Sequence, residues 1–160
     1  MEHAKYIYLT SNEEVLMDEN YRYKICKPMY KLLTKKGKLI TTFENLNEFS
    51  KQLHITPKVL IKVLIKVLHC ASGHNEQVGY FVGQFNAYQI NMHLCQFIQS
   101  YWLCYLCSTP EVIMTTSKNN KRLKHKCKAC GGKRYIDNNN DDKCYNVLLH
   151  SHMKVISTNI

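Results

Sequence analysis

Four cysteines in two pairs constrain this sequence more than any other feature. Cys104 and Cys107 form one CxxC pair, Cys127 and Cys130 form a second, and nineteen residues separate the pairs. Two such pairs bring four thiolates to the corners of a tetrahedron, the geometry that Zn²⁺ takes in structural sites. A redox motif needs a single CxxC in a βαβ setting instead. The spacing therefore predicts one structural zinc, and because every ligand is sulfur, no coordination position stays open for catalysis.

The residues between the two pairs predict a β-hairpin. Residues 111–116 form the outward strand, the polar stretch 117–120 forms the turn, and residues 122–126 form the return strand. Gly131 and Gly132 follow the second pair, where a tight turn often requires a positive φ. We therefore predict a four-cysteine zinc ribbon over residues 101–136.

The net charge of +10 is concentrated in this predicted ribbon, where Glu111 is the single acid between residues 101 and 134. The basic residues there are Lys118, Lys121, Arg122, Lys124, Lys126, Lys128, Lys133 and Arg134. Such a surface favours RNA phosphates or an acidic protein partner. A solvated lysine surface with no partner is the alternative interpretation.

Length and apolar content argue for a cytoplasmic protein without a membrane association. The 160 residues suit one medium domain or two small ones. The N-terminus lacks the apolar core of a signal peptide, and the longest apolar stretch, residues 59–68, contains Lys62 and Lys66. In a reducing compartment we expect four further cysteines to be buried free thiols: Cys26, Cys70, Cys95 and Cys144.

The first hundred residues predict an arm followed by an α/β domain. Residues 1–20 are polar and acidic and predict a flexible arm or a short helix, and residues 21–100 predict the domain. Residues 29–34 and 38–43 read as the strands of a hairpin around the turn at 35–37.

Three helices are expected in this domain. Asn45 with Glu48 is a capping-box variant, and Thr56 before Pro57 begins a second helix. The second helix carries a basic stripe of Lys58, Lys62 and Lys66. Residues 67–71 could instead form a strand that pairs with residues 77–82. Asn86 and Gln89 cap the third helix.

Three stretches of the chain resemble a known family. Residues 94–110 (Leu-Cys-Gln-Phe-Ile-Gln-Ser-Tyr-Trp-Leu-Cys-Tyr-Leu-Cys-Ser-Thr-Pro) and 127–131 (Cys-Lys-Ala-Cys-Gly) resemble the zinc ribbon shared by the β subunit of initiation factor 2 and eukaryotic initiation factor 5. Residues 21–24, Tyr-Arg-Tyr-Lys, are similar to initiation factor 5 in particular. The resemblance implies an α+β fold in which a small α/β domain resembling initiation factor 1 precedes the ribbon. Residues 137–160 would then pack back or remain flexible.

The resemblance also implies a function. Such a protein is not itself an enzyme; it is a GTPase activator of initiation factor 2 and acts in start-codon selection. Its expected partners are the γ subunit with GTP, initiator methionyl-tRNA and the small ribosomal subunit, and it is expected to be a monomer. Arg22 would be an arginine finger, supported by Lys62. An arginine supplied in trans stabilises charge on the γ-phosphate and accelerates hydrolysis by about 10³ to 10⁵.

Three other interpretations stay open. Without the family, Arg22 reads as a solvated arginine in a tail. The family's helical-repeat C-terminal domain has no counterpart in residues 1–160, so we also consider a non-catalytic β-subunit-like module that binds initiator tRNA or the γ subunit. A transcript-cleavage ribbon ranks last, because the turn at 118–121 has no acidic pair to hold magnesium.

Overall fold

The computed structural model describes residues 6–9, 18, 20–74, 79–117, 122–136 and 143–157. The expected α+β fold class is confirmed, and the elements found in those residues are, in chain order, β1 (Tyr6–Tyr8), β2 (Lys24–Cys26), β3 (Tyr30–Lys35), β4 (Lys38–Phe43), α1 (Leu46–Gln52), α2 (Pro57–Leu68), β5 (Ser72–His74), β6 (Gly79–Val82), α3 (Ala87–Phe97), a π-helical turn (Ile98–Trp102), β7 (Val112–Thr116), β8 (Leu123–Cys127), β9 (Lys133–Ile136) and α4 (Lys143–Ser157). No helix in the described ranges combines the length and apolar character that a membrane crossing requires.

The chain divides into two compact units, and both are discontinuous in sequence. The first contains Lys24–Gln96 together with β1, and the second contains Leu9–Tyr23 together with the chain from Phe97 onward. The second unit therefore holds both CxxC pairs and Arg22. The boundaries predicted at residues 20, 100 and 136 remain a proposal about domain organisation.

The first unit is built on a four-stranded antiparallel sheet in the order β3-β4-β6-β5. The predicted hairpin is confirmed as β3 and β4, with Thr34 paired to Leu39 across the turn. The open choice for residues 67–71 resolves mostly to helix, since α2 runs to Leu68 and β5 begins at Ser72. The core of this unit includes the following fully buried side chains: Phe43, Leu46, Phe49, Leu60, Leu64, Phe81 and Ile90.

A short strand lies within the segment predicted to be a flexible arm. Tyr6–Tyr8 form β1, which pairs antiparallel with β2 so that Ile7 lies opposite Ile25. A Tyr-Ile-Tyr triplet favours an extended conformation because aromatic and β-branched residues pack well on a pleated surface. The polar composition of the surrounding arm hid this signal, which is why the strand differs from the expectation.

Of the capping residues predicted from the sequence, those of α3 are confirmed and that of α1 is not. Asn86 and Gln89 form the expected reciprocal box at α3, with Gln89 N–H donating to Asn86 Oδ1 at 2.8 Å and Asn86 N–H to Gln89 Oε1 at 3.1 Å. The capping box predicted at Asn45 is wrong. The Asn45 side chain accepts from the Met29 N–H at 2.8 Å and donates to the Lys27 carbonyl at 2.9 Å. Asn45 therefore fixes the chain before β3 instead of capping α1.

Gly79 at the start of β6 provides a test of core packing. A Cβ atom at this position would overlap Ile61 Cδ1 and would lie 2.8 Å from Leu46 Cδ2. Overpacking of a filled core typically costs about 1–3 kcal/mol. We therefore expect Gly79→Ala to lower the free energy of unfolding by about 2 kcal/mol in urea denaturation. The control is Gly37→Asn. Gly37 lies in an open turn with φ +71°, which asparagine tolerates, so this substitution should lower the free energy of unfolding far less.

The second unit contains a three-stranded sheet in the order β7-β8-β9. Strands β7 and β8 confirm the predicted hairpin, whereas β9 was not predicted. Helix α4 carries the buried side chains Tyr145 and Leu148, and the Tyr145 hydroxyl accepts from the Leu123 N–H at 3.2 Å. The stretch 143–157 is thus helical, and this bond fixes the helix against β8.

Candidate functional site

The two CxxC pairs fold into turns with the same backbone pattern. The Ser108 N–H donates to the Cys104 carbonyl at 2.9 Å, and the Gly131 N–H donates to the Cys127 carbonyl at 3.2 Å. In each turn the residue after the second cysteine has a positive φ, 55° at Ser108 and 75° at Gly131. Glycine adopts this conformation without strain, as expected at Gly131, and serine adopts it at some cost.

A second backbone bond completes each turn. The Cys104 N–H donates to the Thr109 carbonyl and the Cys127 N–H donates to the Gly132 carbonyl, both at 2.9 Å. Each first cysteine is therefore held by the residue five positions later. The repeated pattern gives the two turns the same backbone bonding.

The four sulfurs fit one Zn²⁺. Cys104 Sγ lies 3.6 Å from Cys130 Sγ, Cys107 Sγ lies 3.7 Å from Cys127 Sγ, and all four atoms fall within 4.8 Å of one another. A tetrahedral site with Zn–S bonds of about 2.3 Å places its sulfurs about 3.8 Å apart. Four thiolates with this separation are the donor set of a structural zinc ribbon, so the predicted metal and its ligands agree with the geometry.

The surroundings of Cys107 favour the ionised ligand that zinc needs. Cys104 and Cys127 are buried, whereas Cys107 and Cys130 lie nearer to solvent. Hydrogen bonds from the Thr109 hydroxyl and the Thr109 N–H lower the pKa of the Cys107 thiol to about 6. Zinc binds the thiolate form, so the two hydrogen bonds from Thr109 lower the cost of deprotonating Cys107 at neutral pH. At Cys130 the hydrogen bond from Gly132 acts in the same direction, but burial and the neighbouring sulfurs outweigh it and raise the pKa of this thiol to about 12. The other four cysteines are not in disulfides among the described residues; Cys144 is buried as expected, whereas Cys26 and Cys70 are half-buried and Cys95 is exposed.

Alternation along the ribbon strands separates its basic residues onto two faces. The outer face consists of Ile113, Thr115, Lys124, Lys126, Lys133 and Tyr135. Thr115, Lys124 and Tyr135 are direct cross-strand neighbours, as are Ile113, Lys126 and Lys133. Most of these side chains are exposed and Lys124 is half-buried. Arg122 joins this face, because its guanidinium lies 4.9 Å from the centre of the Tyr135 ring.

Other predicted basic residues have different surroundings. Arg134 lies on the opposite face of β9, where its Nη2 donates to the Ser100 carbonyl at 3.3 Å and its guanidinium lies 5.0 Å from the centre of the Tyr105 ring. Lys128 is exposed on the second CxxC turn, off the outer face. Lys118 and Lys121 lie outside the described residues. The described basic residues thus include one group on the outer face and one arginine engaged in internal contacts.

Arg22 lies in the unit that contains the cysteines. Its side chain is 74% exposed, and its Nη2 lies 3.4 Å from Glu111 Oε1. The same nitrogen donates to the Tyr23 hydroxyl, and the guanidinium lies 4.6 Å from the centre of the Tyr23 ring. Tyr23 in turn donates to Glu111 Oε1 at 2.8 Å. The structure therefore mounts Arg22 beside the first ribbon strand while its guanidinium remains largely accessible.

Tyr23 and Glu111 were not predicted as site residues. Glu111 carried a signal, because it is the single acid of the ribbon region. Its partner lies 88 residues earlier in the chain, and no local pattern predicts such a pair. Lys62, the predicted supporting residue, is exposed on α2 of the other unit, in the stripe with Lys58 and Lys66.

Comparisons with known proteins point to translation initiation. A family described as the domain found in initiation factors 2B and 5 matches residues 12–133. Eukaryotic translation initiation factor 5 of Caenorhabditis elegans is 31% identical over 116 residues, which cover 71% of this chain and 26% of that protein. Eukaryotic translation initiation factor 2 subunit 2 of Drosophila melanogaster is 30% identical over 95 residues, or 58% of this chain and 30% of that protein.

A third relative comes from an archaeon. The β subunit of translation initiation factor 2 of Methanosphaera stadtmanae is 24% identical over 93 residues, which cover 58% of this chain and 64% of that protein. The chain thus spans between about a quarter and two thirds of the length of these three relatives. The matched segment includes Arg22 and all four cysteines of the metal site.

Proposed function

Since the chain belongs to the family of the domain found in initiation factors 2B and 5, we propose that it is a translation initiation factor that stimulates GTP hydrolysis by initiation factor 2. In this proposal it is not itself an enzyme. It acts as a monomer in the cytoplasm, on a complex of the γ subunit with GTP, initiator methionyl-tRNA and the small ribosomal subunit. Its effect there is to couple start-codon selection to hydrolysis.

The placement of Arg22 is the observation that carries the proposal. The arginine lies in the Tyr-Arg-Tyr-Lys motif, is 74% exposed, and has its side chain anchored by Tyr23 and Glu111. Hydrolysis of GTP spreads negative charge over the γ-phosphate oxygens, and an arginine from a second protein stabilises that charge. Arginine suits this role because it remains protonated and presents a planar fork of donors.

Lys62 has a separate supporting role in this proposal. It is exposed in the middle of α2, with Lys58 and Lys66 one turn away on either side. Such a stripe can hold an anionic partner surface without contributing to the chemical step. The metal has a structural role: it holds the two CxxC turns together, and the chemistry is left to Arg22.

Single-turnover hydrolysis tests the proposed function. The complex of initiation factor 2, labelled GTP, initiator tRNA and the small subunit would be mixed with an excess of zinc-loaded chain. We expect release of phosphate to accelerate by orders of magnitude, because the missing arginine is now supplied. A basic protein of equal net charge is the control for charge alone. Equal rates with and without the chain would contradict the proposal.

The outer face favours a second candidate function, a β-subunit-like module that contacts RNA without stimulating hydrolysis. Three lysines lie on this face, and Arg122 lies against its exposed tyrosine. Cations next to an accessible aromatic ring suit a single-stranded backbone and its bases. Stable association with initiator tRNA or the γ subunit, without faster phosphate release, would favour this function over the first.

Salt dependence measures the contribution of the outer face to RNA binding. Each phosphate neutralised on a single strand contributes about 0.7 to the slope of log affinity against log salt. We therefore expect the double variant Lys124→Ala/Lys126→Ala to reduce the slope by about 1.4 in anisotropy titrations with a labelled, unstructured oligonucleotide. The matched control, Lys31→Ala/Lys51→Ala, removes equal charge from exposed positions of the other unit that lie outside the lysine stripe of α2. Equal loss in both variants would show that net charge alone is responsible.

A further inference from the structure

We propose that Glu111 is the positioning residue for Arg22 and that it mounts the arginine on the metal-binding unit. This inference rests on the function proposed for Arg22. It adds that Glu111 acts through Tyr23 and makes the presentation of the guanidinium depend on the two CxxC turns. Glu111 itself does not touch the nucleotide.

The contacts of one carboxylate oxygen support this role. Glu111 Oε1 accepts from the Tyr23 hydroxyl at 2.8 Å and lies 3.4 Å from Arg22 Nη2. Arg22 Nη2 also donates to the Tyr23 hydroxyl, and its guanidinium lies 4.6 Å from the ring centre. The carboxylate therefore orients the tyrosine, and the tyrosine orients the arginine by a hydrogen bond and by its π face.

The backbone on the Arg22 side is fixed within the same unit. The Leu9 N–H donates to the Tyr23 carbonyl at 2.9 Å, and the Tyr21 hydroxyl donates to the Leu9 carbonyl at 2.9 Å. The rings of Tyr21 and Tyr23 meet edge to face, with their centres 5.5 Å apart. Arg22 thus lies between two tyrosines with defined contacts. It is not a free arginine in a tail.

The backbone on the Glu111 side is fixed by the metal turns. The Glu111 carbonyl accepts from the Lys128 N–H at 2.7 Å, and Lys128 follows the ligand Cys127. Glu111 itself lies four residues after the ligand Cys107. Its position is therefore set by both CxxC turns together. A chain without metal would lose this arrangement and, with it, the anchor of Tyr23.

The arrangement orients Arg22 without occupying it. Among the described residues, the polar contacts of the guanidinium involve Nη2, so Nε and Nη1 remain available to an incoming phosphate. A flexible arginine loses rotamer freedom when it enters a partner's site, and prior orientation reduces that loss. The pair is solvent-exposed, so its contribution is modest compared with that of the arginine itself.

A graded series of variants tests the inference. Glu111→Ala removes the acceptor of the tyrosine hydroxyl and the charge, whereas Glu111→Gln keeps an acceptor and removes the charge. We expect the maximal single-turnover rate to fall about three- to tenfold for Glu111→Ala and less for Glu111→Gln, because exposed charge pairs contribute little. The chain concentration at half-maximal rate should stay within about twofold, since binding to the complex is unchanged.

Tyr23→Phe provides an independent route to the same loss. It removes the hydroxyl that links Glu111 to Arg22 and leaves the metal turns untouched. Because both residues act through one contact, the double variant Glu111→Ala/Tyr23→Phe should be no slower than the worse of the two single variants. Additive losses would contradict a shared role. Glu44→Ala, an exposed acid of the other unit, is the matched control and should leave the rate unchanged.

A readout that does not involve GTP separates positioning from structure. The heteronuclear NOE of the Arg22 Nε–H resonance reports the order of the guanidinium, and bound zinc per chain reports the fold. We expect Glu111→Ala and Tyr23→Phe to lower the NOE while zinc remains at one per chain. An unchanged NOE overturns the inference, and so does loss of zinc in both variants, which would indicate a structural role.

The two proposals fail in different ways. If Arg22→Ala leaves the hydrolysis rate unchanged, the arginine finger is wrong, whatever Glu111 does. If Arg22→Ala abolishes stimulation but Glu111→Ala and Tyr23→Phe retain the full rate, the function stands and the positioning role alone is overturned.

Discussion

Replacement of Cys127 by serine should remove the zinc and unfold the unit that contains both CxxC pairs. Cys127 is 2% exposed, and its sulfur lies 3.7 Å from that of Cys107. Serine offers a hard oxygen that stays protonated, where zinc in a structural site prefers thiolate. Structural zinc contributes about 10–16 kcal/mol in zinc-finger peptides, which equals or exceeds the whole stability of most small domains.

Three measurements follow this loss. Bound zinc should fall from one per chain to none. The fluorescence of Trp102, the single tryptophan of the chain, should shift to the red as the π-helical turn loses its surroundings. Urea denaturation should lose the transition of this unit. Chelation of zinc from the unaltered chain should reproduce all three effects.

Cys95 provides the matched control for this substitution. It is also a free cysteine, but it lies exposed on α3 and takes no part in the four-sulfur cluster. Cys95→Ser should retain one zinc and the native fluorescence. A Cys127→Ser chain that is folded and binds zinc with full affinity would show that the cluster is not the metal site.

Sequence patterns predict what is local in this protein. The metal turns are an example, because CxxC followed by a residue with positive φ is complete within five positions at Cys127–Gly131 and at Cys104–Ser108. The cap at Asn86 and the hairpin of β3 and β4 are local in the same sense. In each case the bonding partners are neighbours in the sequence, so the chemistry of a few residues decides the structure.

Contacts between segments that are distant in the sequence are not predicted by local patterns. Strand β9 has only four residues, and it is a strand because Tyr135 pairs with Lys124 of β8, not because Lys-Arg-Tyr-Ile has a strong strand pattern. Asn45 carries a capping signal, yet the Met29 N–H competes successfully for its side chain. Glu111 reads as an isolated acid until the fold brings Tyr23 to it. Tertiary contacts override local preference at each of these positions.

The separation of the basic residues shows the same limit. The sequence groups all eight cations of the ribbon region into one surface, but strand alternation sends Arg134 to the opposite face from Lys124 and Lys133. Had β9 been recognised as a strand, its period of two would have predicted this division. Because β9 is not predicted from the sequence, Arg134 is grouped with lysines that lie on the opposite face of the sheet.

Replacement of Arg22 by alanine should abolish stimulated GTP hydrolysis while leaving the protein folded. The guanidinium is 74% exposed and its ion pair with Glu111 lies on the surface, so its loss should change the free energy of unfolding very little. An arginine supplied in trans is worth about 10³- to 10⁵-fold in rate, and alanine offers no donor to replace it. The rate at saturating chain should therefore fall to that of the complex without the chain.

Arg22→Lys distinguishes a finger from a general positive charge. Lysine keeps the charge but presents a compact ammonium in place of a planar fork, and it loses the stacking on the Tyr23 ring. We expect it to recover only a small fraction of the stimulated rate, measured by single-turnover phosphate release with zinc content and urea denaturation in parallel. Full activity with lysine would mean that Arg22 contributes only its charge. Full activity with alanine would place the stimulating group elsewhere in the chain, and the exposed stripe of Lys58, Lys62 and Lys66 would then be the first surface to test.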